Sequence, residues 1–330
     1  MKLSSLGEFA LIERIRRGVR AHRSVRIGIG DDSAWVDHPA GSSLVTADLL
    51  IEGIHFNLKW TSPCALGHKS LAVNLSDIAA MGGVPAYAVL SLGIPGNFDS
   101  KQIDEFYRGF MRLANRYRVA LIGGDTNVSK SFIISVCVIG HPAAQPVRRA
   151  GASVGDDIYV TGTLGDAALA LKFLRRQYPS AKQREISELL RRHHKPIPRL
   201  SAGAVLARQR LATAMIDISD GLVQDLGHIC EASRIGAVIW NHSLPLSSAY
   251  RAIAGKAQTR EALSGGEDYE LLFCARTRHR ERIGNLSAQA GVKITRIGTC
   301  VAARQKITVL DASGKPLSLR RKGHDHFKRN

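Results

Sequence analysis

Several features are scarce in this 330-residue chain, and each scarcity removes a class of protein. There are five cysteines (Cys64, Cys137, Cys230, Cys274 and Cys300) and no Cys-x-x-Cys pair. A disulfide scaffold and a zinc site of ordinary spacing are therefore excluded, and buried thiols in a reducing compartment are expected. Aromatic residues make up only 6% of the chain and are not interleaved with its basic runs. The stacking platform of a single-strand nucleic-acid binder is thus missing, and no nucleic-acid partner is expected. The longest apolar stretches, such as 132–139, are strand-sized. A membrane-spanning helix needs ~18–20 such residues, so no membrane association is expected. The opening MKLSSLGEFALIERIRR places acids and arginines where a signal peptide has its apolar core, so a cytoplasmic protein is expected. The GxxxxGK[ST] phosphate cradle and the HRD and DFG motifs are absent, and Gly28-Ile29-Gly30 lacks the third glycine of a dinucleotide fingerprint.

What remains is ordinary globular composition, 45% hydrophobic and 22% charged, in a chain long enough for two cores. The formal charge is +18 and uneven: residues 1–150 carry +5 and residues 151–330 carry +13. The excess is dense at 172–199 and 320–329. A basic surface attracts nucleotides and other phosphate polyanions, although the same runs also read as solvated helical faces.

Apolar spacing predicts helices over 8–20, 63–81, 100–117, 166–175 and from Gly221 through Ala232. In 63–81 the apolar positions favour one side. Strands are predicted at 25–29, 43–47, 86–92, 119–122, 132–139, 157–161, 215–218, 270–275 and 294–298. Strands and helices alternate in both halves, which implies a two-domain α/β or α+β protein. The turn-rich segment 140–155 is the expected boundary. Two apolar–Ser–Asp steps, Leu75-Ser76-Asp77 and Ile218-Ser219-Asp220, hint weakly at an internal repeat.

Carboxylates recur at strand ends and beside glycine. Asp31 and Asp32 follow Gly28-Ile29-Gly30, Asp48 ends a predicted strand, and Asp125 follows Gly123-Gly124. Asp77 sits in a Ser-Asp step, Asp217 and Asp220 flank Ser219, and Glu267 and Asp268 follow Gly265-Gly266. Any one of these steps alone is more often a turn or a helix N-cap than a metal ligand. Together, acids from several strand ends can converge on one cleft, where they raise one another's pKa unless a cation neutralises them. Oxygen donors without His/Cys clusters suit Mg²⁺, which takes its other ligands from water and substrate phosphate. The turn Gly162-Thr163-Leu164-Gly165 precedes a helix and fits either a phosphate held on backbone N–H groups or a tight strand–helix turn.

Taken together these motifs resemble the thiamine-monophosphate kinase family. The similar pieces are GIGDDSA (28–34), VTADLLIEGIHF (45–56), KSLAVNLSDIAAMGGVP (69–85), LIGGDT (121–126), RAGASVGDDIYVTGTLGD (149–166), IDISDGLVQDLGHI (216–229), LSGGEDYELLF (263–273) and KGHDHF (322–327). The resemblance implies a two-domain PurM-like fold. Residues 1–145 would form a mixed-sheet ATP- and Mg-binding and dimerisation domain. Residues 146–330 would form an α/β domain completing the active-site cleft. It further implies a homodimer that uses ATP and several Mg²⁺ ions to phosphorylate thiamine monophosphate by direct in-line transfer, with no covalent nucleophile. Carried over by motif, Asp32, Thr46, Ala47, Asp48, Asp77, Asp125, Asp217 and Asp220 would surround the metal. Tyr107, Gly124, Asp125, Arg149 and Ser219 would contact ATP, and His55, Glu267 and His324 would contact thiamine monophosphate. Related selenophosphate synthetases and hydrogenase-maturation proteins carry a cysteine near one terminus that has no counterpart here.

Two positions depart from the family pattern. Thr46-Ala47-Asp48 stands where the family often has Ser/Thr-Thr-Asp, and His324 stands where it usually has Trp or Tyr. The second departure bears on acceptor affinity. Another ATP-using enzyme of the same superfamily with a different acceptor, and a non-catalytic basic nucleic-acid-binding relative, are the alternative readings.

Overall fold

The computed structural model describes residues 12, 13, 16, 23–175, 182–255 and 258–318. The predicted helix over 8–20 falls mostly outside these residues, as do the basic tail 320–329 and His324.

The first half runs β1 (Val25–Ile27), β2 (Ala34–His38), β3 (Gly41–Ile51), α1 (Pro63–Ala80), β4 (Gly83–Ile94), α2 (Ser100–Tyr117), β5 (Ala120–Val128) and β6 (Ile133–Pro142). Its six strands form one sheet in the order β1-β2-β3-β6-β4-β5, antiparallel except for the parallel β4–β5 pair.

The second half runs β7 (Asp157–Thr161), α3 (Asp166–Leu174), α4 (Gln183–His194), α5 (Leu200–Arg208), β8 (Ala212–Asp217), α6 (Leu222–Ser233) and β9 (Ile235–Trp240). It continues with α7 (Ser248–Ala254), α8 (Arg260–Ser264), β10 (Leu271–Ala275), α9 (Arg280–Gly284), α10 (Ser287–Ala290), β11 (Ile294–Ala302) and β12 (Ile307–Leu310). The second sheet has the order β12-β9-β11-β7-β10-β8, with only β12–β9 parallel. Both halves are therefore mixed sheets with helices, the α/β architecture the resemblance implied.

α1 is the spine of the molecule. The Ser62 hydroxyl accepts from the Ala65 N–H and Pro63 occupies the first turn, a start signal worth ~1 kcal/mol. The apolar spacing predicted one buried side, but the helix is buried nearly all round. Leu66, Leu71, Leu75 and Ile78 are buried, and so are Lys69, Ser70, Asn74 and Ser76. The reason is its place: α1 packs on β3, β4 and β6 of the first sheet, on β8 of the second, and on α2 and α5. A helix between two sheets has no solvent face, so its polar residues must find partners inside. One core cluster accordingly joins Leu44, Leu75, Phe106 and Ile134 to Met215 and Phe273 of the second sheet. A second cluster, with Ile158, Leu169, Ile216, Leu226 and Leu272, fills the other face of the second sheet.

Two strands run longer than their apolar cores suggested. β3 continues through Asp48 to Ile51, so Asp48 lies within a strand rather than at its end. β5, predicted to end at Ile122, passes straight through Gly123-Gly124-Asp125. It is an edge strand paired only to β4 and almost wholly exposed, so apolar alternation does not mark it. The two apolar–Ser–Asp steps occupy different elements, the C-terminal part of α1 and the end of β8 with the loop after it, so they are not equivalent positions of a repeat.

Candidate metal and phosphate centre

The last turn of α1, the end of β8 and the loop before β2 meet at one point. Asp32, Asp77 and Asp217 each bring a carboxylate oxygen there, all within 4.8 Å of one another. Neighbouring side chains hold them. The Thr46 hydroxyl donates to Asp77 Oδ2 at 2.6 Å, and the Ser76 hydroxyl donates to Asp217 Oδ2 at 2.6 Å. Arg149 forks onto Asp32, with Nη2 2.9 Å from Oδ1 and Nε 3.3 Å from Oδ2, while its backbone N–H donates to Asp31 Oδ2 at 3.2 Å. The Asp48 backbone N–H donates to Asn74 Oδ1 of α1 at 3.1 Å, which brings β3 to the same helix face.

Burial makes this arrangement costly while the acids are ionised. It pushes Asp217 up to about 8, with Asp32 adding to the rise, and pushes Asp48 up to about 6. Asp77 is raised well above the usual carboxylate range, first by burial and then by Asp48, Asp217 and Asp32. Asp31 rises to about 6 by burial and then by Asp32. Crowded hard oxygen donors that favour protonation are the donor set of a divalent cation such as Mg²⁺, and zinc-type ligands are absent from the cluster.

The other expected metal and ATP residues do not all join this point. Along the sheet, Asp48 stands in a row with Val136, Leu90 and Gly124. The next row is Leu49, Ser135, Ser91 and Asp125. Adjacent rows face opposite sides of a pleated sheet, so Asp125 belongs to the outer face, away from α1. It accepts instead from its neighbours, the Thr126 N–H at 2.8 Å and Asn127 Nδ2 at 2.7 Å. Gly124 lies against β4 so closely that a Cβ would stand 1.7 Å from the Leu90 carbonyl oxygen. Ala47 alternates to the same outer face and is exposed, so the hydroxyl missing from this position would have pointed away from Asp77. Tyr107, half-buried on α2, packs edge-on against Phe106 at 5.8 Å.

Asp220 lies beyond the end of β8, where its Oδ2 accepts from Gln224 Nε2 at 3.1 Å. Asp225, which sequence reasoning missed, is fully buried beneath it and accepts from the Asp220 and Gly221 N–H groups. The Ser219 carbonyl accepts from the Glu267 N–H at 2.7 Å, which ties Glu267 to the strand end carrying Asp217. Glu267 has φ 70°, and Lys69 Nζ donates to its Oε1 at 2.7 Å. Burial would raise the Glu267 pKa, but Lys69 and then His193 hold it well below the usual range. Glu267 also lines a cavity of about 680 Å³ with Thr163, Arg199, Ser247, Asp268 and Glu270. His55 sits in the turn after β3, where its Nδ1 accepts from the Ile51 N–H at 3.0 Å. His324 lies outside the described residues.

The Gly162–Gly165 turn is now decided between its two readings. Asp268 Oδ2 accepts from the Gly165 N–H at 2.7 Å and Oδ1 from the Ala167 N–H at 3.4 Å. The chain's own carboxylate occupies the N-terminus of α3, so this is a tight turn and its anion place is filled. Ser76, Asn74 and Lys69 also escaped the sequence reading. Their signal was polarity at inward positions of an apolar helix.

The chain is similar to known proteins over nearly all of its length. The family model for the AIR synthase related protein N-terminal domain matches residues 30–141, and that for its C-terminal domain matches residues 153–311. The thiamine-monophosphate kinase of Escherichia coli strain K12 is 41% identical over 97% of this chain and 98% of its own. That of Bacillus subtilis strain 168 is 35% identical over 98% of this chain and 100% of its own. Among solved structures, AaThiL complexed with AMPPCP and TMP superposes with a TM-score of 0.85 at 33% identity, covering 99% of both chains. With this identity running from end to end, the chain belongs to the thiamine-monophosphate kinase family.

Proposed function

We propose that this protein transfers the γ-phosphoryl group of ATP to thiamine monophosphate, giving thiamine diphosphate and ADP, with Mg²⁺ as the metal. The observation that carries the reading is the buried cluster of Asp32, Asp77 and Asp217 in a chain of this family. Asp32, Asp48, Asp77 and Asp217 would hold the metal, with Asp125, Asp220, Thr46 and the Ala47 backbone as further members of the set. Bound there, Mg²⁺ neutralises charge between two phosphate-bearing reactants that otherwise repel. Arg149, whose Nε and Nη2 rest on Asp32, would turn its remaining N–H groups to the ATP phosphates, with Ser219, Gly124 and Tyr107 as the other nucleotide contacts. His55, Glu267 and His324 address the acceptor. The bond formed joins an acceptor phosphate oxygen to the γ-phosphorus, and the bond broken is that to the β–γ bridging oxygen. A phosphate oxygen needs no strong base, so alignment and electrostatics supply most of the acceleration.

The reading includes a homodimer of two-domain subunits, divided as 1–145 and 146–330, in the cytoplasm. The outer face of the first sheet supports the dimer: Leu49 and Tyr87 are 50% and 49% exposed there, with Val128 exposed on the edge strand. Asp125 shares that face, so a partner subunit packed there would lie against it.

Incubation of the purified protein with ATP, Mg²⁺ and thiamine monophosphate, read by mass spectrometry, tests the proposal. Mg²⁺-dependent thiamine diphosphate is the expected product. ATP consumed only with another phosphorylated acceptor would transfer the reading to a different superfamily chemistry. No Mg²⁺-dependent ATP consumption, together with steeply salt-dependent RNA or DNA binding, would favour the non-catalytic alternative.

A further inference from the structure

We infer that Lys69 and His193 are positioning residues for the acceptor: they hold the Glu267 carboxylate charged and aimed at the cavity it lines, where it meets a cationic or N–H-donating group on the organic part of the phosphorylated acceptor. The inference rests on the reading of Glu267 as an acceptor contact.

The Lys69 side chain is 4% exposed and His193 is 5% exposed, while Glu267 is 28% exposed. A buried ammonium demands a counter-charge, and Lys69 Nζ finds Glu267 Oε1 at 2.7 Å. His193 Nδ1 lies 3.2 Å from the other oxygen, Oε2. Oε1 therefore has a hydrogen-bonded partner in Lys69, and Oε2 lies beside an imidazole nitrogen that is buried and makes no hydrogen bond of its own among the described residues. A carboxylate has about four lone-pair sites, so each oxygen keeps one for a ligand. The two partners come from different elements, α1 and the C-terminal end of α4, and approach a residue fixed by its backbone. Glu267 has φ 70°, and its N–H donates to the Ser219 carbonyl. A non-glycine residue in the left-handed region persists where its surroundings over-determine it, and such residues cluster at functional positions.

Lys69 also lies on the helix that carries Asn74, Ser76 and Asp77. One rigid element thus sets the metal centre and the acceptor carboxylate relative to each other, eight residues or ~12 Å apart along the axis. An ionised Glu267 with open lone pairs selects for positive charge or hydrogen-bond donors in the acceptor. The Lys69 ammonium supplies its counter-charge without the metal, and the neutral His193 imidazole stands against the second oxygen.

Steady-state kinetics on the full-length protein with ATP and thiamine monophosphate test this, using Glu267→Gln, Lys69→Met, Lys69→Arg and His193→Gln. Lys69→Met is expected to raise the acceptor KM roughly tenfold or more, the loss of one charge-assisted contact, while the ATP KM stays within about twofold. Lys69→Arg should recover much of the acceptor affinity. Glu267→Gln combined with Lys69→Met should be no worse than the poorer single variant. If Lys69→Met does not fold, His193→Gln, at the other oxygen, carries the same expectation in direction. Acceptor KM raised by Glu267→Gln but unmoved by both partner variants would overturn the positioning role and leave the Glu267 reading intact. Acceptor KM unmoved by Glu267→Gln would remove that reading itself. Equal losses toward ATP and acceptor, with a lowered melting temperature and no rescue by Arg, would make the pair a structural tie and overturn the inference.

Discussion

Asp217, Asp77 and Asp48 are held by the fold in places that favour their neutral forms. Asp217 titrates at about 8 and Asp48 at about 6, against an ordinary 3.8. Between pH ~4 and ~8 the folded protein keeps protons that the unfolded chain releases, so raising the pH through this window removes stability. Glu267 and Asp157, displaced the other way, act below that window, whereas His68, His193, His194 and His228, held neutral by burial, oppose the loss up to about pH 6.5, where the unfolded imidazoles also become neutral. Above pH 7 the carboxylates remain, so metal-free protein should melt at a lower temperature at pH 8 than at pH 7, and Mg²⁺ should raise the melting temperature most at pH 8. A flat or rising metal-free profile across this range would contradict the burial argument. Much of the cluster was readable beforehand, because Asp32 and Asp217 stand beside glycine or at a strand end. The clamp of Lys69 and His193 on Glu267 was not, since it joins residues 198 and 74 positions apart, beyond any local pattern.

At the level of elements, the contact between α1 and α2 sets how tightly the first half packs. Gly67 and Gly109 face the partner helix's backbone: a Cβ at Gly67 would lie 2.0 Å from the Phe106 oxygen, and one at Gly109 would lie 1.8 Å from the Cys64 oxygen. Gly109→Ala must push the helices apart and should cost at least ~1–3 kcal/mol, measurable by urea denaturation. A variant as stable as the parent would mean the helices separate freely. The bounds of α1 and α2 were legible from apolar spacing, and the structure shows the Ser62 cap with Pro63 and the Asp99/Gln102 capping box that fix their starts. Burial on every side of α1 was not, because a period reveals one apolar stripe and not what a second sheet will cover. β2, β9, β12 and α5 also went unread; the first three are strands of four to six residues, and α5 is rich in small residues.

For the whole molecule, the placement of Asp125 makes subunit pairing testable through catalysis. Asp48→Asn and Asp125→Asn should each abolish turnover in folded protein. If each site joins one subunit's Asp48 to the partner's Asp125, refolding the two variants together in equal amounts should restore activity. Half the dimers would be mixed and each would have one intact site, giving about a quarter of the parent rate. No recovery in a confirmed mixed dimer would place both aspartates of a site in the same chain. The two-domain α/β plan was legible in the alternation of strands and helices, whereas the side on which Asp125 falls depends on β5 register, which local sequence leaves open.

The helix clasped between the sheets has one further consequence. Removing either half would strip α1 of a wall and bare Leu75 or Met215 to water, so neither half carries a complete interior. Calorimetry should then record one endotherm rather than two, and a protease that nicks the linker between the sheets should release no stable fragment. Substrates bound at one end of the helix would accordingly protect the protein as a unit.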